Sequence, residues 1–137
     1  MKTESQILDD VCRHVAGSAL AAAVSGEVLK RPRPSGSRKE DIVISIIGGV
    51  PAAQEQKVSV NVNIYVPEKL QDGRYDRDEP RERILQELSA ETLEVGGIGE
   101  DFSFFLEKQE TFEVLDATRH ERCINNRLLY NYLNEKT

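Results

Sequence analysis

The sequence predicts an α+β fold: a single antiparallel β-sheet of about four to five strands with two helices packed on one face. Three observations lead there. Val58, Val60, Val62, Ile64 and Val66 alternate with Ser59, Asn61, Asn63 and Tyr65, the period of a strand with one apolar and one polar face. Ile7, Leu8, Val11, Cys12, Val15, Ala19 and Leu20 recur at spacings of three and four, which is one stripe of an amphipathic helix. The elements then follow in the order helix, short strand, hairpin, helix, hairpin. A parallel sheet covered on both sides would lack the polar face of the Val58 strand.

Each element has a local reason. Thr3-Glu4-Ser5-Gln6 has the pattern of a capping box, so the first helix starts there. It is expected to run from Gln6 to Val24, with Ser25-Gly26 ending it. Glu27 to Lys30 fits a short strand. Arg31 to Lys39 (RPRPSGSRK) is an extended loop, because Pro32 and Pro34 lack N–H donors and Gly36 adds freedom. Asp41 to Ile47 (DIVISII) is β-branched and reads as a strand buried on both faces. Gly48-Gly49-Val50-Pro51 breaks it before the Val58 strand, which predicts a hairpin.

Pro67 to Glu79 is a charged, turn-rich connection. Pro80 suits the first turn of the second helix, whose stripe is Ile84, Leu85, Leu88 and Val95 with Thr92 among them. Gly96-Gly97 stop that helix. Phe102 to Leu106 and Thr111 to Leu115 read as a broken strand, and Leu128 to Leu133 as the last one. Residues 1–137 form one domain in this reading, with a basic Pro-rich loop at 31–39 and a charged loop at 67–79.

Composition narrows the function classes. A chain of 137 residues can bury a core without disulfide or metal staples. Two Cys do not make a secreted disulfide framework, so a reduced, cytoplasmic setting is expected. The small apolar run Val15 to Val24 follows Glu4, Asp9 and Asp10, where a signal peptide would be basic. No stretch approaches the ~20 apolar residues of a membrane span. A net charge of −6 and 6% aromatic residues argue against a general nucleic-acid surface.

The reactive residue types do not converge in sequence. Cys12, His14, His120 and Cys123 are the four soft metal ligands. Residues two apart on a helix point about 200° apart, so Cys12 and His14 do not share an ion, and Cys12 reads as a small core residue. Gly96-Gly97-Ile98-Gly99 follows a helix and precedes a strand, the reverse of a phosphate-binding loop. Asp9-Asp10 and Glu100-Asp101 are adjacent acids that diverge on a regular element. The expectation is a protein that is not an enzyme, with no catalytic residue, cofactor or metal.

Two surface features remain. Lys30, Arg31, Arg33, Arg38 and Lys39 place five positive charges in ten residues without an acid, leaving 13 basic against 24 acidic residues elsewhere, a balance of −11. Such segregation suits phosphates or an acidic neighbouring subunit. A Pro-rich loop adds little to a core, so neutralising it is expected to leave the fold intact. The polar strand face, Ser59, Asn61, Asn63 and Tyr65, suits either water or a subunit contact.

The layout resembles that of the small tail-completion, or tail-terminator, proteins of tailed phages and prophages. The likeness lies in the opening helix Gln6 to Val24 running into Val28-Leu29-Lys30-Arg31-Pro32, and in the loop into the strand Ile42 to Ile47. It continues through the alternating strand Val58 to Val66, the helix around Arg81 to Val95, and the terminal strand pair ending at Leu128 to Leu133. It spans nearly the whole chain and rests on layout, not on a diagnostic motif. The long 67–79 connection and the strongly basic loop depart from it.

The resemblance implies a structural role: a homo-oligomeric ring, commonly a hexamer, that caps the tail tube and joins it to the head. DNA passes through the channel. The implied partners are further copies, tail-tube or head-neck proteins, and transient non-specific DNA. The implied location is the host cytoplasm and then the virion or phage-like particle. The loop cations are then candidates for a DNA-channel or subunit contact, and the polar strand face for a subunit contact. The alternative is a small cytoplasmic α+β binding or enzymatic domain of unknown ligand, and oligomeric state separates the two.

Overall fold

The strand with the strict alternation is one of the two central strands of a six-stranded sheet. In the computed structural model, which describes residues 2–47, 57–116 and 118–132, it is β3 (Lys57–Pro67). It pairs antiparallel with β2 (Ile42–Ile47) on one side and β8 (Glu121–Tyr132) on the other. The sheet continues to β1 (Val28–Leu29) beyond β2, and to β7 (Phe102–Glu113) and β6 (Val95–Gly96) beyond β8, giving the order β1-β2-β3-β8-β7-β6. β4 (Lys69–Gln71) and β5 (Arg74–Asp76) make a separate two-stranded ribbon. The helices are α1 (Glu4–Ala16), α2 (Ala19–Ala23) and α3 (Glu79–Leu93).

This corrects the expected architecture of one antiparallel sheet of four to five strands with two helices. The main sheet has six strands and is mixed, because β1 runs parallel to β2. A second sheet forms inside the charged 67–79 segment, where Asp72-Gly73 turns with both residues at positive φ. The expected first helix is two helices. Ser18 accepts from the Ala21 N–H and donates to the Val15 carbonyl at 2.5 Å, so one hydroxyl ends α1 and caps α2. The capping box at Thr3 and Gln6 is present with both its hydrogen bonds.

One hydrophobic cluster lies between the helices and one face of the sheet. Ile7, Val11 and Val15 of α1, Leu20 of α2, and Leu85 and Leu93 of α3 meet Val58, Val60, Val62, Ile64 and Val66 of β3. Ile42 and Ile44 join them, but Val43 and Ser45 are only half-buried, so β2 is covered on one face and not on two. In α3 the buried positions are Glu82, Leu85, Ser89 and Leu93, while Ile84 stands half-exposed and Val95 belongs to β6. An apolar count misses that stripe because two of its members are polar: Ser89 meets the buried Asn126, and Glu82 pairs with Arg77 and Arg122.

The broken strand is one strand with a bulge. Phe102, Phe104 and Leu106 face the helices, and the pairing to β8 then slips by one residue between Leu106 and Lys108. The extra residue re-aims the strand. Gln109, not Lys108, enters the helix side, where its Nε2 reaches Asn126 Oδ1 at 2.8 Å and Ser89 Oγ at 2.9 Å. Asn126, fully buried, donates in turn to the Val62 carbonyl. The last strand is longer than Leu128 to Leu133 suggests, because it starts at Glu121. Leu133 and the Gly48–Pro51 breaker lie outside the described residues.

Candidate functional site

Among the described residues, no helix covers the other face of the sheet. Cross-strand register places its side chains in rows. Val95, Phe105, Leu129, Ser59 and Ile47 form one row, and Glu110, Asn125, Asn63 and Val43 another. Each of the polar residues proposed from sequence lies here: Ser59, Asn61, Asn63 and Tyr65 are all half-buried. Two of them are tied together. The Asn125 amide donates to Asn61 Oδ1 at 2.9 Å and to Asn63 Oδ1 at 2.6 Å, an amide ladder across β3 and β8. Phe105 and Phe112 are each 45% exposed on this face.

The basic loop folds onto one end of the same face. Pro32 and Pro34 fix the backbone on either side of Arg33, whose guanidinium lies 4.2 Å from the Tyr65 ring centroid. Its three nitrogens each have an acceptor: Nε to Asp41 Oδ2 at 3.0 Å, Nη1 to Glu121 Oε1 at 2.7 Å, and Nη2 to the Lys39 carbonyl at 3.2 Å. The side chains of Asp41 and Glu121 are 3% and 2% exposed. Arg33 is therefore a buried tie between the loop, β2 and β8, and it is not one of five loose charges. This overturns the expectation that all five could be neutralised without touching the fold.

The electrostatics follow from that geometry. Burial alone would raise the Asp41 carboxyl. Hydrogen bonds from Ser37, Arg33 and the Glu27 N–H outweigh it and hold Asp41 below the usual carboxylate range. Burial alone would lower the Arg33 guanidinium, and the bonds to Glu121 and Asp41 hold it above its ordinary value instead. Burial pushes up the Tyr65 phenol. Cys123, packed between Tyr65 and Phe112 in register, is pushed up to about 12 by burial and then by the Glu121 charge. It is an unreactive thiol at neutral pH.

Neighbouring contacts hold the loop in place. Gly26 passes so close to Asp41 that an added Cβ would stand 2.2 Å from Oδ1. Arg81 at the start of α3 grips Glu40 with two bonds, 2.7 and 2.8 Å, and donates to the Ala23 carbonyl at 2.6 Å. Arg38 donates to the Arg119 carbonyl, and Lys30 pairs with Asp9. Among the described residues, Arg31 and Lys39 make no ion pair. The structure thus joins Arg33 to Tyr65, and leaves Arg31, Arg38 and Lys39 exposed around that tie. Sequence reading missed Asp41, Glu121, Glu40 and Arg81. The available signal was an acid pair, Glu40-Asp41, directly after a basic loop and at the start of a strand.

A second concave region lies on the helix side, beside the sheet edge. It is about 430 Å3 and is lined by Asp10, Arg13, His14, Gly97, Ile98 and Phe102, among others. Asp10 is buried and accepts from Tyr130 Oη at 2.5 Å, Lys2 Nζ at 2.5 Å and Arg13 Nη2 at 2.8 Å. Burial, and then the bond to Asp10, raise the Tyr130 phenol far above its usual range. His14 Nε2 lies 2.8 Å from the Thr92 carbonyl, so that nitrogen carries the proton. These groups satisfy one another. Among the described residues, no three His, Cys, Asp or Glu side chains gather as a metal site. No described helix is long and apolar enough to cross a membrane.

No protein-family model matches the chain, and no curated protein matches it.

Proposed function

We propose that this chain is a structural assembly protein of a phage-like tail or neck, forming or joining a ring at the head-proximal end of the tail tube. The observation that carries the reading is the one-sided sheet. Three helices lie on one face, while the other presents an amide ladder, two half-exposed Phe rings and a cationic loop. A face of that composition suits a wet interface between chains. The layout resemblance supplies the tail context. Arg31, Arg38 and Lys39 are the charges left for DNA phosphates in the channel or for an acidic neighbour, and Arg33 holds the loop that presents them.

Immunogold labelling of particles made in the host tests this directly. The expected result is label at the head-proximal end of the tail, and particles without the protein that have unjoined heads and tails. Intact, fully joined particles in its absence would overturn the reading. Neutralising Arg31, Arg38 and Lys39 together separates the two roles of the loop. Joined particles that leak DNA favour the channel, and tails of uncontrolled length favour the neighbour contact.

A further inference from the structure

The two edges of the main sheet are unlike each other. At the β1 edge, α1 and β1 flank a groove of about 610 Å3. Leu8, Cys12, Val28 and Leu29 form its half-buried apolar part, and Glu4, Ser5, Lys30 and Arg31 complete the lining, with two cations against one acid. The β6 edge instead exposes apolar side chains next to acids. Val95 and Phe105 are register partners, 56% and 45% exposed, and Ile98 in the turn after β6 is 89% exposed. Glu94, Glu100 and Glu107 are exposed beside them and make no ion pair among the described residues.

We infer that copies of this chain associate head to tail, with Val95, Ile98 and Phe105 of one copy seated in the α1–β1 groove of the next. Glu94, Glu100 and Glu107 then face Lys30 and Arg31 of the neighbour. Several arguments select a second copy as the occupant. Apolar side chains exposed to this degree in one cluster mark an interaction site. The groove that matches them in polarity, and the cations that match them in charge, are on the opposite edge of the same sheet. A surface that pairs with a different surface of an identical chain makes a heterologous contact, which repeats and closes into a ring if the rotation allows. Meeting like edge to like edge would set acid against acid. Lys30 pairs with Asp9 within its own chain, but both are about half exposed, and such surface pairs re-pair at little cost. The inference rests on the assembly reading above for its biological purpose and specifies which surfaces meet.

The groove supplies its own probe, because Cys12 lies in it while Cys123 is 1% exposed. An Ile98→Cys chain, oxidised at high protein concentration, is expected to give a ladder of disulfide-linked multimers on denaturing gels. Adding Cys12→Ala should remove the ladder. So should Glu94→Lys with Glu107→Lys, or Lys30→Glu with Arg31→Glu, each placed in the Ile98→Cys chain. Mixing those two charge-reversed chains should restore cross-linking, because every contact between them is again complementary. Circular dichroism melts of each variant confirm that the substituted chains remain folded. Absence of a ladder from folded Ile98→Cys protein, a ladder that survives Cys12→Ala, or a mixture that fails to restore it would overturn the inference. A ladder from a protein that never joins a particle would sink the tail reading alone. Labelled particles without a ladder would sink this contact alone.

Discussion

The two faces of β3 hold their residues by different physics. On the helix side, Val58 to Val66 are stabilised by removal from water, at roughly 1.5–3 kcal/mol for each fully buried side chain, with exposures of 0–4%. On the open side, Asn61 and Asn63 are positioned by one amide, and Tyr65 by a guanidinium that two acids hold. The first face is tolerant of which apolar residue fills it and intolerant of charge. The second is specific in partner and accessible to other chains. A strand can therefore anchor a core and present a surface at once, provided that the surface residues are tied laterally to their neighbours in the sheet.

The sharpest break of this comparison is Val62→Asp. It would bury an uncompensated carboxylate beside Asn126 and the α3 stripe. The cost is on the order of the whole stability of a small domain, about 5 kcal/mol or more. The chain should be unfolded or aggregated by circular dichroism and light scattering. A cooperative melt near that of wild type would refute the burial of this face.

Next comes Arg33→Ala. Asp41 would remain buried with its cation gone, while Glu121 keeps Arg119 at 2.8 Å, which puts the cost at the lower end of about 3–5 kcal/mol. The pH response carries the signature. Asp41 has a depressed folded pKa, so its contribution is present above the unfolded value of about 3.9 and lost as pH falls through the folded value. Wild-type stability should therefore fall on acidification below about pH 4. The Arg33→Ala chain should lose less over the same range, because protonation relieves its unpaired charge. Parallel acid profiles for the two chains would show that Arg33 is not the partner that matters.

Tyr130→Phe is a smaller change on the helix side. It removes one of three donors to a buried carboxylate and leaves Lys2 and Arg13 on Asp10. The expected loss is about 1–3 kcal/mol in denaturant titration. Because the Tyr130 phenol is raised in the folded state, its contribution is present below its unfolded value of about 10 and disappears as pH rises beyond that. Only the wild type should show that alkaline loss.

What could be read in the sequence follows the same division. Periodicity reports burial, so the alternation of β3, the apolar stripe of α1 and the antiparallel pairing of β2 with β3 were legible, while the break between α1 and α2 and the one-sided cover of β2 were not. Lateral ties are not periodic. Arg33 reads as one cation among five until the fold brings Glu121, 88 positions away, to within 2.7 Å of it. The β7 bulge hid a continuous strand because it shifts the alternation by one residue after Leu106. The sixth strand and the second sheet were missed because β4, β5 and β6 are only two or three residues long, too short for any pattern, whereas β1 was expected within Glu27 to Lys30. Of the candidate surface, the polar strand face and the exposed loop cations were visible in advance, and the joint between them was not.

Asn61→Asp is the smallest expected effect and tests the open face most cleanly. The substitution keeps an oxygen where Asn125 donates at 2.9 Å, and it stands opposite Arg127 in the register, so an opposite charge is at hand. Asn61 is half-buried, and its neighbours on this face are polar. The melting temperature should change by the equivalent of no more than about 0.5 kcal/mol, against the loss of the whole fold for Val62→Asp one residue away. That adjacent pair measures the difference between the faces directly. A large loss of stability from Asn61→Asp would mean that the open face is itself a core. An unchanged melt with lost assembly into particles would instead place a second chain on it, since a new carboxylate desolvated by a partner costs far more than one facing water.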